Sequence, residues 1–213
     1  KKEYFIKPTT TKNVIKYFID SYNQGSNPNP CIRCNQTIKF GIFYDWAIKN
    51  NFDYIATGHY AQIIKNSDKT SSIKSKYLLV GGNDQIKDQT YFLYQIKSQQ
   101  LAHILFPIGN LNKQQVRAKI QKCQLSVVKK ADSANICFLA GQKIKNYLSQ
   151  HLAEHPGNVV DKKNNIIGKH YGLWQYTIGH RHGFHINTNQ LIKTSLLIDK
   201  HHLPALYVID KKI

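Results

Sequence analysis

The sequence contains no methionine among its 213 residues and no long hydrophobic run. No apolar stretch approaches the roughly 18 residues that a membrane-spanning helix needs, and the first residues lack the apolar core of a secretory signal. These absences predict a protein with no membrane partner. Because the chain starts at Lys1 without an initiator methionine, we expect an internal segment of a longer polypeptide.

Acidic residues are scarce: 12 Asp and Glu stand against 30 Lys and Arg, for a formal net charge of +18. The positive charge is spread along the whole chain, which favours a polyanionic partner, nucleic acid first. A compositional explanation stays open, because only three of these cations are Arg and the abundant Lys, Asn and Ile are typical of an AT-rich genome. The four cysteines have irregular spacing, which predicts a reducing compartment, the cytoplasm.

Two cysteines, Cys31 and Cys34, follow Pro28 and Pro30. Proline restricts its own backbone and that of the preceding residue, so we expect a stiff loop that leads into a helix over residues 38–47. A thiol near a helix N-terminus is biased toward thiolate, the reactive and metal-binding form. The spacing leaves open a reactive or redox pair, a metal pair and an inert pair, although a zinc knuckle would need two further ligands nearby.

The periodicity of apolar residues predicts an amphipathic helix over residues 12–22, ended by Gly25. Residues 52–57 are typical of a short buried strand that runs into Gly58 and His59. Open α/β sheets bind ligands at the carboxyl ends of strands, so this position is a candidate site. An ordinary turn with a packed histidine is the alternative.

Residues 77–80 are typical of a strand, and the tip Lys87-Asp88-Gln89 precedes a run of aromatic residues. Lysine can contact phosphate, and Asp and Gln can hold base or ribose edges, although a solvated turn fits equally well. Further on, Phe106-Pro107-Ile108-Gly109 predicts a turn.

Asn112 is predicted to cap a helix that runs through Gln124 and buries Val116, Ile120 and Cys123. A strand at 125–128 should lead to a basic, polar loop that carries Cys137. A helix over 143–152 should bury Ile144, Tyr147, Leu148 and Leu152.

The segment 171–183 combines aromatic residues, Gly and Arg, which is typical of a stacking and phosphate-binding surface. Its histidines form no convincing metal set. Residues 205–210 are typical of a strand whose sheet lies outside this chain.

Seven motifs, in order and over nearly the whole chain, resemble one family, the tRNA-specific 2-thiouridylases, which are PP-loop enzymes. They are Asn29-Pro30-Cys31-Ile32-Arg33-Cys34-Asn35 with Ile38-Lys39-Phe40; Asp53-Tyr54-Ile55-Ala56-Thr57-Gly58-His59-Tyr60; Lys87-Asp88-Gln89-Thr90-Tyr91-Phe92-Leu93; Phe106-Pro107-Ile108-Gly109; Asp132-Ser133 with Ile136-Cys137-Phe138; Gly172-Leu173-Trp174 with Tyr176-Thr177-Ile178-Gly179; and Tyr207-Val208-Ile209-Asp210. Each motif alone is weak, and their shared order makes the resemblance specific.

The resemblance implies roles for individual residues. Cys34 matches the catalytic nucleophile and Cys137 the cysteine that carries a persulfide. Gly58 matches an ATP contact. The residues that match tRNA contacts are Asn29, Pro30, Cys31, His59, Lys87, Asp88 and Gln89.

The implied reaction forms 2-thiouridine at the wobble position of tRNA. ATP, with Mg, adenylates the uridine C2 oxygen, and a persulfide on Cys137 supplies the sulfur. Cys34 either attacks the activated base or reacts with the persulfide to release sulfide, which leaves a Cys34–Cys137 disulfide. A sulfur-donor protein, a cysteine desulfurase or a relay, is implied as a further partner.

Four departures from the family pattern matter. The pyrophosphate-binding loop and the C-terminal β-barrel are absent from this sequence, so we expect the segment alone to be catalytically incomplete. Cys31 stands where some members carry Asp, and Cys31, Cys34 and Cys137 resemble the ligands of an iron–sulfur cluster in other members. His180 stands where Gln is usual.

The expected fold class is α/β: part of a parallel-sheet, Rossmann-like PP-loop domain, followed by a small mixed α+β tRNA-binding domain. We assign residues 1–104 and 126–142 to the first domain, 105–125 and 143–200 to the second, and 201–213 to the start of the β-barrel. Two alternative functions stay open, a tRNA-binding remnant without chemistry and a metal-stabilised domain that uses Cys31 and Cys34.

Overall fold

The computed structural model describes residues 8–67, 75–125, 136–193 and 205–212, and the side chains from residue 12 onward. Two compact units are formed by the described residues. The first comprises those of Lys1–Val14 and Pro30–Ala134, and the second those of Ile15–Asn29 and Asn135–Ile213. The domain boundaries expected from the sequence stay a prediction.

The first helix, α1, spans Pro8–Asn23 and confirms the predicted amphipathic helix. Val14, Phe18 and Tyr22 are buried at a spacing of four residues, as one face of a helix requires. The helix ends where Gly25 adopts a left-handed backbone with φ of 68°, and its N–H donates to the carbonyl of Tyr22.

The two motif cysteines lie in a helix and not in the loop that the sequence predicted. Helix α2 spans Pro30–Cys34, a π-helical segment spans Asn35–Ile42, and α3 spans Phe43–Lys49. Pro30 occupies the first helical position, where its fixed φ fits the helix and its missing N–H costs nothing. The proline therefore starts the helix one residue before Cys31.

The strands of the first unit form two pairs. Strand β1, Ile55–Ala56, pairs in parallel with β4, Ile104–Leu105, and β2, Ala61–Lys65, pairs antiparallel with β3, Tyr77–Gly81. The prediction of a buried strand over 52–57 is wrong in extent, because Phe52 and Tyr54 are 52% and 55% exposed and only Ile55 reaches the core.

Two 3₁₀ helices, Thr90–Phe92 and Ser98–His103, lie between β3 and β4. The core of the first unit is formed by Phe40, Ala47, Ile55, Ala61, Leu93 and Ile104. Gly109 ends the predicted turn at 106–109 against β2, and any side chain there would strike the carbonyl of Ala61. Glycine is therefore required for this close approach.

Helix α4 spans Lys113–Lys122, and Asn112 caps it as predicted. Asn112 Oδ1 accepts from the N–H of Gln115 at 2.9 Å, and the Gln115 side chain accepts from the N–H of Asn112 at 2.9 Å. The prediction that Cys123 belongs to the core is wrong, because Cys123 is exposed and α4 buries no residue. The helix is mostly Lys, Arg and Gln, and Val116 and Ile120, which were predicted to be buried, are only half-buried.

The second unit contains a 3₁₀ turn at Cys137–Leu139, α5 at Ile144–Leu148, β5 at Gly157–Val160, β6 at Ile166–His170, a 3₁₀ turn at Leu173–Gln175, β7 at His185–Ile186 and α6 at Thr188–Lys193. The three strands form an antiparallel sheet in the order β5-β6-β7. One core cluster contains Phe18, Tyr22, Leu148 and Trp174, and another contains Ile167 and Leu191.

Several predicted elements of the second unit are shorter or different. The helix predicted at 143–152 forms only at Ile144–Leu148, where Leu148 is buried and Ile144 is exposed. Residues 205–210 form no strand; instead, Val208 exchanges two backbone hydrogen bonds with Gly179 and His180. The predicted strand at 125–128 lies outside the described residues apart from Leu125.

The combination of helices, a parallel strand pair and antiparallel sheets makes the chain an α/β protein, as the sequence predicted. Among the described residues, no helix is both long enough and apolar enough to cross a membrane.

Candidate functional site

Three segments of the first unit meet at the carboxyl end of β1. They are the π-helical segment after Cys34, the loop 57–60 and the turn 88–92, and their hydrogen bonds are made by Asn35, Lys39, Thr57, His59 and Gln89. We refer to these five residues as the strand-end cluster. Through the Lys39–His59 contact, the Cys34 helix lies beside the strand end that carries Gly58, and α/β sheets bind ligands at such strand ends.

Asn35 joins the helix to the 88–92 turn. Its Nδ2 donates to the carbonyl oxygen of Phe92 at 2.9 Å, and the side chain is 3% exposed. Its Oδ1 is buried without a hydrogen-bond partner. The residue directly after Cys34 is therefore fixed by a buried polar contact to a distant turn.

His59 joins the helix to the β1 loop. The ring is 6% exposed and lies near the rings of Phe40 and Phe106, each with its centroid 5.9 Å from that of the imidazole. Its Nδ1 lies 2.8 Å from Thr57 Oγ1, and its Nε2 lies 3.2 Å from Lys39 Nζ.

These contacts define the protonation of His59. A lysine ammonium can only donate, so Nε2 accepts from Lys39 and the ring proton resides on Nδ1, which donates to Thr57. Burial, together with the positive charge of Lys39, lowers the pKa of His59 to about 4. The imidazole is therefore neutral at physiological pH.

Gln89 joins the 88–92 turn to the same loop. Its N–H donates to the carbonyl of Tyr60 at 2.9 Å, and its Oε1 accepts from the N–H of Tyr60 at 3.0 Å. This two-way pairing fixes the residue after His59. Gln89 was predicted to contact tRNA. In the structure, its backbone N–H and its side-chain oxygen both bond the backbone of Tyr60.

Asp88 organises the tip beside Gln89. Its carboxylate accepts from the N–H of Gly82 at 2.6 Å, from the N–H of Thr90 at 3.0 Å and from the hydroxyl of Thr90. Burial acts to raise the pKa of Asp88, but these hydrogen bonds outweigh it and lower the pKa below its usual value. Asp88 therefore shapes the turn next to Lys87, which is half-buried.

All four cysteines of the chain are described, and none of them takes part in a disulfide. Cys34 is half-buried at the end of α2, where the helix changes to π-helical geometry, and Cys31 is exposed one turn before it. Short π-helical stretches are often found at functional sites. The Cys34–Cys137 disulfide expected from the resemblance is not formed in this structure.

Cys137 belongs to the second unit. It begins the turn Cys137–Leu139 and is exposed, whereas Leu139 is 3% exposed. The ring of Phe138 packs edge-on against Phe18 with centroids 5.2 Å apart. The two residues after Cys137 thus anchor the turn in the core and leave the thiol in solvent.

The loop before the Cys34 helix contains Asn27, which belongs to the second unit and bonds other residues of that unit. Asn27 Nδ2 donates to Thr177 Oγ1 at 3.0 Å, and Lys211 Nζ donates to Asn27 Oδ1 at 3.2 Å and to the carbonyl of Tyr176 at 2.8 Å. Of the predicted tRNA contacts that follow, Asn29 is half-buried and Pro30 is buried.

Other predicted site residues are placed as follows. Gly58 is exposed, and a Cβ there would meet no atom within 4 Å, so the loop is open on that side. In the predicted stacking segment, Trp174 and Tyr176 are 5% and 4% exposed, so these two rings are core residues and the stacking prediction is wrong for them. Arg181 and His180 are exposed.

The described part of the chain contains no group of three or more His, Cys, Asp or Glu side chains that could hold a metal ion. Cys31 and Cys34 belong to the first unit and Cys137 to the second, and the iron–sulfur cluster stays a prediction.

A shallow depression elsewhere on the first unit is lined by Ser75, Lys76, Tyr77, Ser98, Gln99 and Ala102, none of which is a predicted site residue.

Sequence analysis missed the roles of Asn35, Lys39 and Thr57. Two signals were available. The first is Asn35, a poor helix former that directly follows a motif cysteine. The second is Lys39, a charged residue that lies in sequence between two apolar residues, Ile38 and Phe40, both of which are buried. A polar residue in such a position is expected to have a specific partner.

Two family descriptions match the chain. The family described as "tRNA methyl transferase HUP domain" matches residues 5–141, and the family described as "tRNA methyl transferase PRC-barrel domain" matches residues 145–213.

Curated relatives share these regions. The chain is 47% identical over 174 residues, 81% of its length, to a protein of Buchnera aphidicola subsp. Acyrthosiphon pisum. It is 43% identical over 173 residues to one of Lysinibacillus sphaericus, again 81% of its length, and 43% identical over 185 residues, 87% of its length, to one of Staphylococcus aureus strain JH9. Each of these relatives is named tRNA-specific 2-thiouridylase MnmA.

The fold, the strand-end cluster and the two family matches define an α/β protein of the HUP class followed by a PRC-barrel segment. The chain belongs to the family of the tRNA-specific 2-thiouridylases. It spans about half the length of the curated relatives it matches, covering 45% of the Buchnera and Lysinibacillus proteins and 46% of the Staphylococcus protein.

Replacing Asn35 tests the buried contact beside Cys34. We expect Asn35→Ala to lower the free energy of unfolding by about 1–3 kcal/mol, because the Phe92 carbonyl loses its donor. Asn35→Asp should cost more, about 3–5 kcal/mol at pH 8, because it places a carboxyl group against that carbonyl in a buried site. Urea unfolding followed by tryptophan fluorescence measures both, and equal losses for the two variants would contradict this account.

The neutrality of His59 predicts a loss of stability in acid. The unfolded chain binds a proton near pH 6.5, whereas the folded protein does so near pH 4, so the free energy of unfolding falls as the pH drops between these values. The expected loss from pH 8 to pH 5 is about 2 kcal/mol.

Urea unfolding at the two pH values measures this loss, with His59→Gln as the comparison, since Gln does not titrate. The variant should show a smaller decrease than the wild type. The matched control His170→Gln removes another histidine whose pKa is lowered by burial, and its effect should be smaller because His170 is only half-buried. If His59→Gln and the wild type lose stability equally, His59 is not neutral in the fold.

Proposed function

We propose that this chain carries the two reacting thiols of a tRNA sulfurtransferase that forms 2-thiouridine at the wobble position. The observation that carries the proposal is the pair of family matches, which run over residues 5–141 and 145–213 and include both Cys34 and Cys137 at motif positions. The relatives that share these regions are named for this activity.

The setting of the two thiols supports their proposed roles. Cys34 is half-buried and its helix is fixed by Asn35 and Lys39, which suits a nucleophile that must meet one substrate atom. Cys137 is exposed on an anchored turn, which suits a thiol that must receive sulfur from another protein. Neither cysteine takes part in a disulfide.

The proposed reaction has three steps. The uridine C2 oxygen attacks the α-phosphate of ATP, and pyrophosphate leaves. The Cys34 thiolate attacks the inner sulfur of a Cys137 persulfide, which forms the Cys34–Cys137 disulfide and releases hydrosulfide. Hydrosulfide attacks C2 of the base and displaces AMP, and an external thiol reductant returns both cysteines to their reduced state.

The proposed partners follow from this reaction. ATP with Mg activates the base, Gly58 contacts the nucleotide, and a cysteine desulfurase or relay protein loads Cys137. The excess of 30 Lys and Arg over 12 Asp and Glu supports tRNA as the polyanionic substrate.

We assign the tRNA contacts to Asn29, Pro30, Cys31, His59, Lys87, Asp88 and Gln89. For Asp88, Gln89 and His59 we infer a supporting role. The side chains of Asp88 and Gln89 bond the protein's own backbone and shape the tip that carries Lys87. His59 is buried, and its two ring nitrogens contact Thr57 and Lys39. An iron–sulfur cluster on Cys31, Cys34 and Cys137 is the alternative sulfur carrier.

A thiolation assay with cysteine variants tests the proposal. The full-length protein is incubated with unmodified tRNA, ATP, Mg and a persulfide donor, and nucleosides are measured by mass spectrometry. We expect 2-thiouridine to form only with ATP, and Cys34→Ser and Cys137→Ser each to lower the rate by at least about a hundredfold, because each removes a reacting sulfur.

Two controls sharpen this assay. Cys123→Ser removes an exposed thiol outside both motifs and should leave the rate unchanged. Cys31→Ser should still thiolate saturating tRNA in the persulfide route, with weaker tRNA binding, whereas loss of activity together with loss of bound iron would favour the cluster. Mass spectrometry also separates sulfur incorporation from methylation, which the family description names. If the wild-type protein leaves the uridine unmodified, the proposal is wrong, and a tRNA-binding protein without chemistry describes the chain better.

A further inference from the structure

Lys39 is placed in an unusual way for a lysine. It lies between Ile38 and Phe40, which are 8% and 2% exposed, and it is itself half-buried. Its Nζ reaches Nε2 of His59 at 3.2 Å. This contact holds the ammonium group beside the strand end that carries His59.

The partner of Lys39 does not neutralise it. His59 is a neutral acceptor because its Nε2 receives the lysine proton and its Nδ1 donates to Thr57. In the part of the chain that the structure describes, no carboxylate lies within ion-pair distance of Lys39. A cation held in place by a neutral partner keeps its charge available to an anionic ligand.

The position of Lys39 indicates which ligand. His59 directly follows Gly58, at the carboxyl end of a strand with a parallel partner, which is where α/β sheets bind nucleotides. Lys39 also follows Cys34 by five residues. Hydrogen bonds in a π-helix join residues five apart, so this geometry turns Cys34 and Lys39 toward one side of the segment, whereas an α-helix would separate them.

We propose that Lys39 is a phosphate-binding residue of the nucleotide site, with His59 and Thr57 as the residues that position its ammonium group. This inference rests on the proposed function, which supplies ATP as a substrate. Lys39 donates to a phosphate oxygen of ATP and so places the nucleotide beside the helix that carries Cys34. Thr57 fixes the tautomer of His59, and His59 leaves the charge of Lys39 available to the ligand.

Nucleotide binding to the full-length protein tests the assignment. Isothermal titration calorimetry measures the affinities for ATP and for adenosine, which lacks phosphate, with wild type and Lys39→Met. The variant should bind ATP about tenfold or more weakly, because one charge-assisted hydrogen bond is lost. Its affinity for adenosine should not change. Lys39→Arg should retain most of the ATP affinity because it keeps the charge.

Lys49→Met is the matched control. It removes the same charge from an exposed lysine of the following helix α3, and its ATP affinity should equal that of the wild type. His59→Gln should weaken ATP binding less than Lys39→Met, because it misplaces the ammonium group without removing it.

Three results overturn the assignment. If Lys39→Met weakens ATP and adenosine binding equally, Lys39 has a purely structural role. If Lys39→Met leaves ATP binding intact but lowers the affinity for tRNA and the dependence of that affinity on salt concentration, Lys39 contacts an RNA phosphate instead. If the wild type binds neither ATP nor adenosine and thiolates no tRNA, the proposed function fails as well, a result distinct from the other two.

Discussion

The strand-end cluster depends on one buried group, the neutral imidazole of His59. Its two nitrogens connect Thr57 of the β1 loop to Lys39 of the Cys34 helix, and its ring packs among Phe40 and Phe106. A buried imidazole must have both nitrogens satisfied, so the ring fixes the relative position of two segments that are 20 residues apart in sequence. The Gln89–Tyr60 pairing then adds the 88–92 turn to the same framework.

The two reacting thiols that we propose are presented in different ways, and the difference suits their chemistry. Cys34 is part of a helix whose side chains are fixed by buried polar contacts, so its position is determined by the core of the first unit. Cys137 is exposed on a turn of only three residues, whose neighbours Phe138 and Leu139 are the anchored ones. A rigid thiol suits attack on a defined atom, and an exposed thiol suits exchange with another protein.

Local signals in the sequence predicted the elements that depend on local interactions. The four-residue spacing of Val14, Phe18 and Tyr22 is confirmed in α1, and the Asn112 cap is confirmed with its partner Gln115. Predictions that depended on distant contacts were less accurate. Cys123 has the apolar spacing of a core residue, yet it is exposed and α4 buries none of its own residues. Residues 205–210 have strand composition, but Val208 pairs with a loop and not with a strand.

The sequence by itself determined the fold class, the family and the identity of the cysteines, because motif order, charge and periodicity are written in local residue patterns. Only the tertiary structure decided that Asp88 and Gln89 bond to backbone and that Lys39 meets His59. These features depend on which distant groups share one buried volume. The protonation of His59 and the role of Asn35 follow from that burial, which residue spacing along the chain does not encode.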